Sequence, residues 1–150
     1  MPADEKRLKV LFLCTGNSCR SQMAEGWARA LKADIIEPYS AGTKPHEVDP
    51  LAVKVMAEVG VDLSNQKSKS IESLKDIRFD YVITLCDDAN ETCPFFPGAV
   101  KTVHVGFDDP PGLARAAATE EEALAIYRRV RDEIMVFVEE MPDHLPDMHE

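Results

Sequence analysis

The stretch Lys9-Val10-Leu11-Phe12-Leu13-Cys14-Thr15-Gly16-Asn17-Ser18-Cys19-Arg20-Ser21-Gln22-Met23 decides the fold. Its first five residues are almost wholly apolar, Cys14 to Ser18 favours a turn, and a helical pattern then runs from Arg20 to Lys32. A short apolar run, a tight loop and a helix read as a buried strand feeding a crossover. Outward from this unit the alternation continues. Ile35–Ser40 is a second short strand, and Pro50 precedes a helical run, Leu51–Val59, closed by Gly60. Phe79–Leu85 is the strongest strand signal, and Val100–Val105 is a fourth strand after the turn residues Pro94 to Gly98. A last helix from about Glu120 to Glu140 carries Leu124, Tyr127, Val130, Ile134, Phe137 and Val138 as an apolar stripe. Strands separated by helices imply right-handed crossovers, and so a three-layer α/β/α arrangement around a four-stranded parallel sheet.

With 150 residues, 45% hydrophobic and 29% charged, the chain is expected to form a single domain with a sizeable core over about 8–141 and a frayed tail over about 142–150. A net charge of −10 excludes a surface built for nucleic acid, which needs clustered Lys and Arg. No apolar run is long enough to span a membrane, and the first residues, Met1 to Lys9, are charged where a secretory signal would be apolar. A cytoplasmic location is therefore expected, and Cys14, Cys19, Cys86 and Cys93 are expected to act as thiols rather than structural disulfides. No feature points to an obligate interface, so a monomer is expected.

Cys14 stands at a strand end and Arg20 in the first turn of the following helix. A loop of this length, with Gly16 and Asn17 able to take left-handed backbone angles, can turn the N–H groups of Thr15, Gly16, Asn17, Ser18, Cys19, Arg20 and Ser21 around a tetrahedral oxyanion. Arg20 closes the ring with a planar fork. The same donors, helix dipole and guanidinium favour the thiolate of Cys14, and Ser21 can donate to that sulfur. Cys19 fits a packed thiol better than a metal ligand, because zinc pairs use a shorter spacing and a second pair close by. Cys86 ends the strongest strand, and Cys93 follows six polar or small residues later. Asp108-Asp109-Pro110 comes after the fourth strand, again at the carboxyl end of the sheet. The dipeptide Asp109-Pro110 is an ordinary turn signal, but a carboxylate there can also protonate a leaving oxygen.

The segment from Val10 to Gly26 resembles the signature of low-molecular-weight protein tyrosine phosphatases and of the arsenate reductases that share their fold. The likeness extends through Ser40–Thr43, Gly60–Gln66 and Gly106–Pro110, covering roughly Lys9 to Glu140. It implies the low-molecular-weight phosphatase fold, with Cys14 as nucleophile, Arg20 as oxyanion ligand and Asp109 as general acid. Thr84-Leu85-Cys86 followed by Cys93-Pro94 resembles the branch coupled to thioredoxin. That branch reduces arsenate by a relay in which, on this resemblance, Cys86 attacks Cys14 and Cys93 attacks Cys86. No bound cofactor is implied. Phosphate and sulfate become competing oxyanions, thioredoxin the external donor and glutaredoxin the less suitable one.

Two other readings remain open at this level. A phosphatase acting on aryl phosphates would use Cys14, Arg20 and Asp109 and let water finish, although Pro111-Gly112 stands where phosphatases of this family commonly place an aromatic wall. A non-catalytic oxyanion-binding or redox-sensing module would keep the loop and be indifferent to Asp109→Asn. Some relatives hold potassium beside the loop on positions matching Asn17, Glu25, Ser40 and a later acid. Lys69 occupies that last position, so an ammonium is expected to replace the ion. The segment Pro111–Thr119 is longer than the usual family connection.

Overall fold

The computed structural model describes residues 7–85 and 101–141. Strand β1 (Leu8–Leu13) leads into helix α1 (Arg20–Leu31), followed by β2 (Ile36–Ala41), α2 (Pro50–Glu58), a 3-10 turn (Ile71–Leu74), β3 (Tyr81–Thr84), β4 (Lys101–His104), α3 (Pro110–Ala114) and α4 (Glu120–Glu139). The sheet is parallel throughout, in the order β2-β1-β3-β4. Val10 to Leu13 are fully buried, which is why the central strand reads as an unbroken apolar run. The edge strands are more polar, and Pro38 is tolerated because it lies on an edge.

One face of the sheet packs Val10, Phe12, Tyr81 and Ile83 against α1, α2 and α4. Trp27 ties α1 to α4 by donating from Nε1 to the Arg131 carbonyl at 3.1 Å. On the other face Leu11, Leu13, Ala41 and Val82 are covered by Leu74 and Phe79. Among the described residues that second layer is no more than the 3-10 turn and its flanks. The expected stripe on α4 is buried at all six positions, joined by Ala123 and Arg131.

Local signals explain the boundaries. Asp49 caps α2, accepting from Leu51 N at 2.9 Å, Pro50 takes the first helical position, and Gly60 follows the helix end at φ +83°. Ile35, expected inside the second strand, lies just outside it. Every residue from Arg20 to Ala28 is buried, because 61–69 crosses over α1 as well. Gly26 makes that crossing possible, since a Cβ there would come within 2.6 Å of Leu63 Cδ2. The order of the strands puts a topological switch between β1 and β3, where the chain leaves β1 toward one side and later returns to the other. A crevice at the carboxyl ends of strands follows from such a switch.

Candidate active site

Loop 14–19 lies at that switch, and its backbone is pinned from outside. The Thr15 carbonyl accepts from Lys44 N at 3.0 Å, the Gly16 carbonyl from His46 N at 2.8 Å, and the Ser18 carbonyl from Asp49 N at 2.8 Å. The Asn17 carbonyl accepts from the Gln22 amide at 2.9 Å, and Ser68 Oγ adds a bond to the Gly16 carbonyl at 3.1 Å. A trans peptide points its N–H opposite its carbonyl. Carbonyls held outward therefore turn the N–H groups of Gly16, Ser18 and Cys19 toward the cavity those residues line. Helix α1 begins there without any side-chain cap and without an acid in its first turn. A buried, uncapped N-terminus adds its own donors and positive dipole end to the same space.

Left-handed geometry is needed once in this loop, and Asn17 supplies it at φ 48°; Gly16, expected to share it, does not. Asn17 is fully buried and locked, its Oδ1 accepting from Lys69 N at 2.7 Å and its Nδ2 donating to Ser21 Oγ at 2.8 Å. Ser21 Oγ in turn stands 2.9 Å from Cys14 Sγ. While its oxygen accepts from Asn17, the Ser21 hydroxyl can still donate its own hydrogen to the sulfur.

Arg20 is 5% exposed, and its Nη1 donates to the carbonyls of Leu85 at 3.2 Å and Phe107 at 3.1 Å, just past the ends of β3 and β4. Its Nη2 lies 3.6 Å from Asp109 Oδ1. Asp109 precedes α3, but its carboxylate does not cap that helix. A Cβ at Gly112 would stand 3.0 Å from Asp109 Oδ2, so the glycine leaves room for the carboxylate where it is. Neighbouring Asp108 pairs with Arg129 at 2.9 Å, anchoring the turn to α4. Together Cys14, Arg20 and Asp109 border a cavity of about 650 Å³. It is far larger than one oxyanion, and its mouth reaches Thr43, Lys44, His46, Pro111 and Arg115.

The family model for low molecular weight phosphotyrosine protein phosphatases matches residues 9–141. The chain belongs to this family. Among its relatives, an arsenate reductase of Bacillus subtilis is 56% identical over 83% of this chain and 88% of its own. An arsenate reductase of Staphylococcus aureus strain Newman is 46% identical over 87% of this chain and 92% of its own. A solved arsenate reductase in the phosphate binding state superposes with a TM-score of 0.73 at 36% identity, covering 88% of this chain and 94% of that one. In this family member Cys14, Thr15, Gly16, Asn17, Ser18, Cys19, Arg20 and Ser21 are contiguous in sequence, and the fold brings the distant Asp109 to them. Cys86 and Cys93 lie outside the described residues. Leu85, directly before Cys86, donates its N–H to the Leu13 carbonyl at 2.9 Å, one residue before Cys14.

Cys19 is buried in the main core. Burial, and then the nearby Asp49 and Cys14, push its thiol well above the usual range, so it stays protonated. Asp49, besides capping α2, accepts from the Tyr127 hydroxyl at 2.5 Å. Burial and this bond raise the Tyr127 phenol, which fixes it as a donor.

The positions matching a potassium site do converge, but not on open space. Ser40 donates to Glu25 Oε1 at 2.5 Å, Arg29 pairs with Oε2, and Lys69 Nζ lies 3.9 Å from Oε1 while donating to the Lys67 carbonyl at 2.7 Å. Burial lowers the Lys69 ammonium from its ordinary value, and Glu25 works against that shift. With two cationic side chains already on one carboxylate, a potassium ion does not fit. Exchange of sodium for potassium is expected to leave kcat/KM unchanged; a several-fold gain would contradict the ammonium's role.

Sequence reasoning missed Gly42 as part of the site. A Cβ there would fall 2.4 Å from the Thr15 carbonyl oxygen, 2.7 Å from that of Cys14 and 2.9 Å from Asn17 N, all backbone atoms. Gly42 N donates to the Lys69 carbonyl at 2.9 Å and Ile71 N to the Gly42 carbonyl at 3.0 Å, which holds the same approach. Gly42→Ala is expected to push the loop out of shape, costing about 1–3 kcal/mol of stability and most activity, measured by thermal unfolding and phosphate binding. A fully stable, active variant would show that the loop yields freely.

Proposed function

We propose that this phosphatase-family protein reduces arsenate to arsenite by a relay of three thiols, recycled by thioredoxin in the cytoplasm, and that it acts as a monomer. The observation that carries the oxyanion chemistry is the pinned loop, its carbonyls turned out and its thiol bonded to Ser21 beside Arg20 and Asp109. The arsenate reductases at 46% to 56% identity support the choice of substrate. A relative solved in a phosphate binding state supports a tetrahedral oxyanion in the loop.

The Cys14 thiolate attacks arsenic and an oxygen leaves as water, protonated from Asp109. The Cys86 thiolate then attacks Cys14 sulfur. The S–As electron pair stays with arsenic, which falls from the pentavalent to the trivalent state and departs as arsenite. A Cys14–Cys86 disulfide is left. Attack of Cys93 on Cys86 frees Cys14 and yields a Cys86–Cys93 disulfide for a dithiol donor to reduce. The hydrogen bond between Leu85 and Leu13 supports this order, because it ties the residue before Cys86 to the residue before Cys14. Among the described residues lining the cavity none is Phe, Tyr or Trp, which favours a small oxyanion over an aryl ester. Slow aryl phosphate hydrolysis is expected as a side activity.

The test is arsenate-dependent NADPH oxidation with thioredoxin and thioredoxin reductase, beside p-nitrophenyl phosphate hydrolysis. Sustained arsenate turnover that stops without thioredoxin is expected. Brisk phosphate release with no arsenate turnover under any thiol donor would make the protein a phosphatase. Cys93→Ser is expected to give one arsenite per protein and halt as a Cys14–Cys86 disulfide, read by peptide mass mapping. Steady turnover by that variant would remove Cys93 from the relay.

A further inference from the structure

The mouth of the catalytic cavity carries three basic side chains from two separate segments: Lys44 and His46 from the loop after β2, and Arg115 from the end of α3. All three are exposed. The backbones of Lys44 and His46 are fixed by their bonds to the Thr15 and Gly16 carbonyls, so both side chains start from the oxyanion loop itself. Several basic side chains elsewhere are matched: Arg128 with Glu58 and Glu121, Arg129 with Asp108 and Glu133, Lys54 with Glu120 and Lys75 with Glu72. The side chains of Lys44, His46 and Arg115 have no hydrogen-bond or ion-pair partner among the described residues. In a chain with net charge −10, Lys44 and Arg115 thus bring two unmatched cations to one opening.

We infer that Lys44 and Arg115 form an outer capture station that draws the oxyanion substrate to the cavity mouth before it enters the Cys14 loop. The inference deepens the function proposed above, since the ligand is the same tetrahedral oxyanion. Arsenate carries one to two negative charges near neutral pH, and a chain this acidic repels it at long range. Charges beyond about 10 Å are screened at ordinary salt, so the nearest cations govern the approach. A cleft lined by one sign of charge concentrates the opposite ion and raises its capture rate. Neither side chain touches the reacting atoms in this role. They act on entry, which belongs in KM and kcat/KM rather than in kcat.

The sign of the salt effect separates local attraction from global repulsion. In the wild-type enzyme, kcat/KM for arsenate is expected to fall as sodium chloride is raised. The double variant Lys44→Gln/Arg115→Gln is expected to lose about tenfold in kcat/KM through KM, keep kcat, and lose or reverse the salt dependence. Arg78→Gln, which removes one charge ahead of β3 at the opposite end of the sheet, is a control for a cation remote from the mouth and is expected to change little. A double variant no different from the Arg78 control, or a wild-type rate that rises with salt, would overturn the inference.

A second readout needs no turnover. Inorganic phosphate is expected to protect Cys14 from iodoacetamide, followed on the Cys14 peptide by mass spectrometry, and the half-protecting concentration is expected to rise in the double variant. Equal protection in both proteins would overturn the capture station. Failure of arsenate turnover with every thiol donor, alongside an intact protection shift, would instead sink the reductase function and leave the station standing.

Discussion

Cys14→Ser abolishes arsenate reduction and aryl phosphate hydrolysis together, with an expected loss of about a thousandfold or more in kcat. Serine keeps the geometry: its oxygen can still meet Ser21 Oγ, which lies 2.9 Å from the native sulfur, and the loop carbonyls remain tied to Lys44, His46 and Asp49. The chemistry goes. A hydroxyl at neutral pH is almost entirely protonated, and no disulfide can form on oxygen, so neither the first adduct nor the transfer of two electrons to arsenic has a route. Phosphate binding and the unfolding midpoint should stay close to wild type. Retained binding with lost turnover assigns the thiol to chemistry; measurable arsenate reduction by the serine variant would place the nucleophile elsewhere.

Arg20→Lys carries the second large effect, an expected fall of about a hundredfold or more in kcat/KM for arsenate. The guanidinium does two jobs at once. Its Nη1 satisfies the Leu85 and Phe107 carbonyls, while its Nη2 lies beside Asp109 and faces the cavity. A lysine ammonium is a single point charge and cannot span both edges, so the change is not conservative here. Carbonyls left without a donor in a buried place cost about 1–3 kcal/mol, so the unfolding midpoint should drop as well. Arg20→Ala should lose at least as much. If the lysine variant keeps near-normal kcat/KM, charge alone suffices and the anchoring carbonyls have no part in orienting the fork.

The central unit of this fold is legible because its physics is local. Val10 to Leu13 alternate with nothing and must be buried on both faces, and the turn chemistry of Gly16 and Asn17 directly precedes a helical pattern. The Asp49-Pro50 cap and Gly60 mark α2 for the same reason. Helix α3 escaped because Pro110-Pro111-Gly112 reads as a breaker, although proline is welcome in a first turn. What holds the site was less visible. Apart from the Gln22 amide, the bonds that hold the loop come from Lys44, His46, Asp49, Ser68 and Lys69, through backbone N–H groups or a single hydroxyl that leave no mark in residue type. Gly42 could have been suspected from its place in Ser40–Thr43, but its reason, a backbone-to-backbone approach, appears only in three dimensions. Asp108 and Asp109 are alike in residue type, and the resemblance alone pointed to Asp109; the structure separates them, pairing Asp108 with Arg129 and setting Asp109 beside Arg20.

Arg20 reaches carbonyls that lie 65 and 87 residues further along the chain. On the ribosome, then, the nucleophilic loop is made early and completed late: β1 and α1 emerge long before the strands that orient the guanidinium. Until β4 and the turn at Phe107 have left the exit tunnel, the thiol of Cys14 belongs to an unfinished protein with no assembled pocket around it. Nascent chains stalled before Phe107 would accordingly fail to retain phosphate, whereas chains extended past α4 would hold it, so the competence of the loop is decided by strands made long after the loop itself.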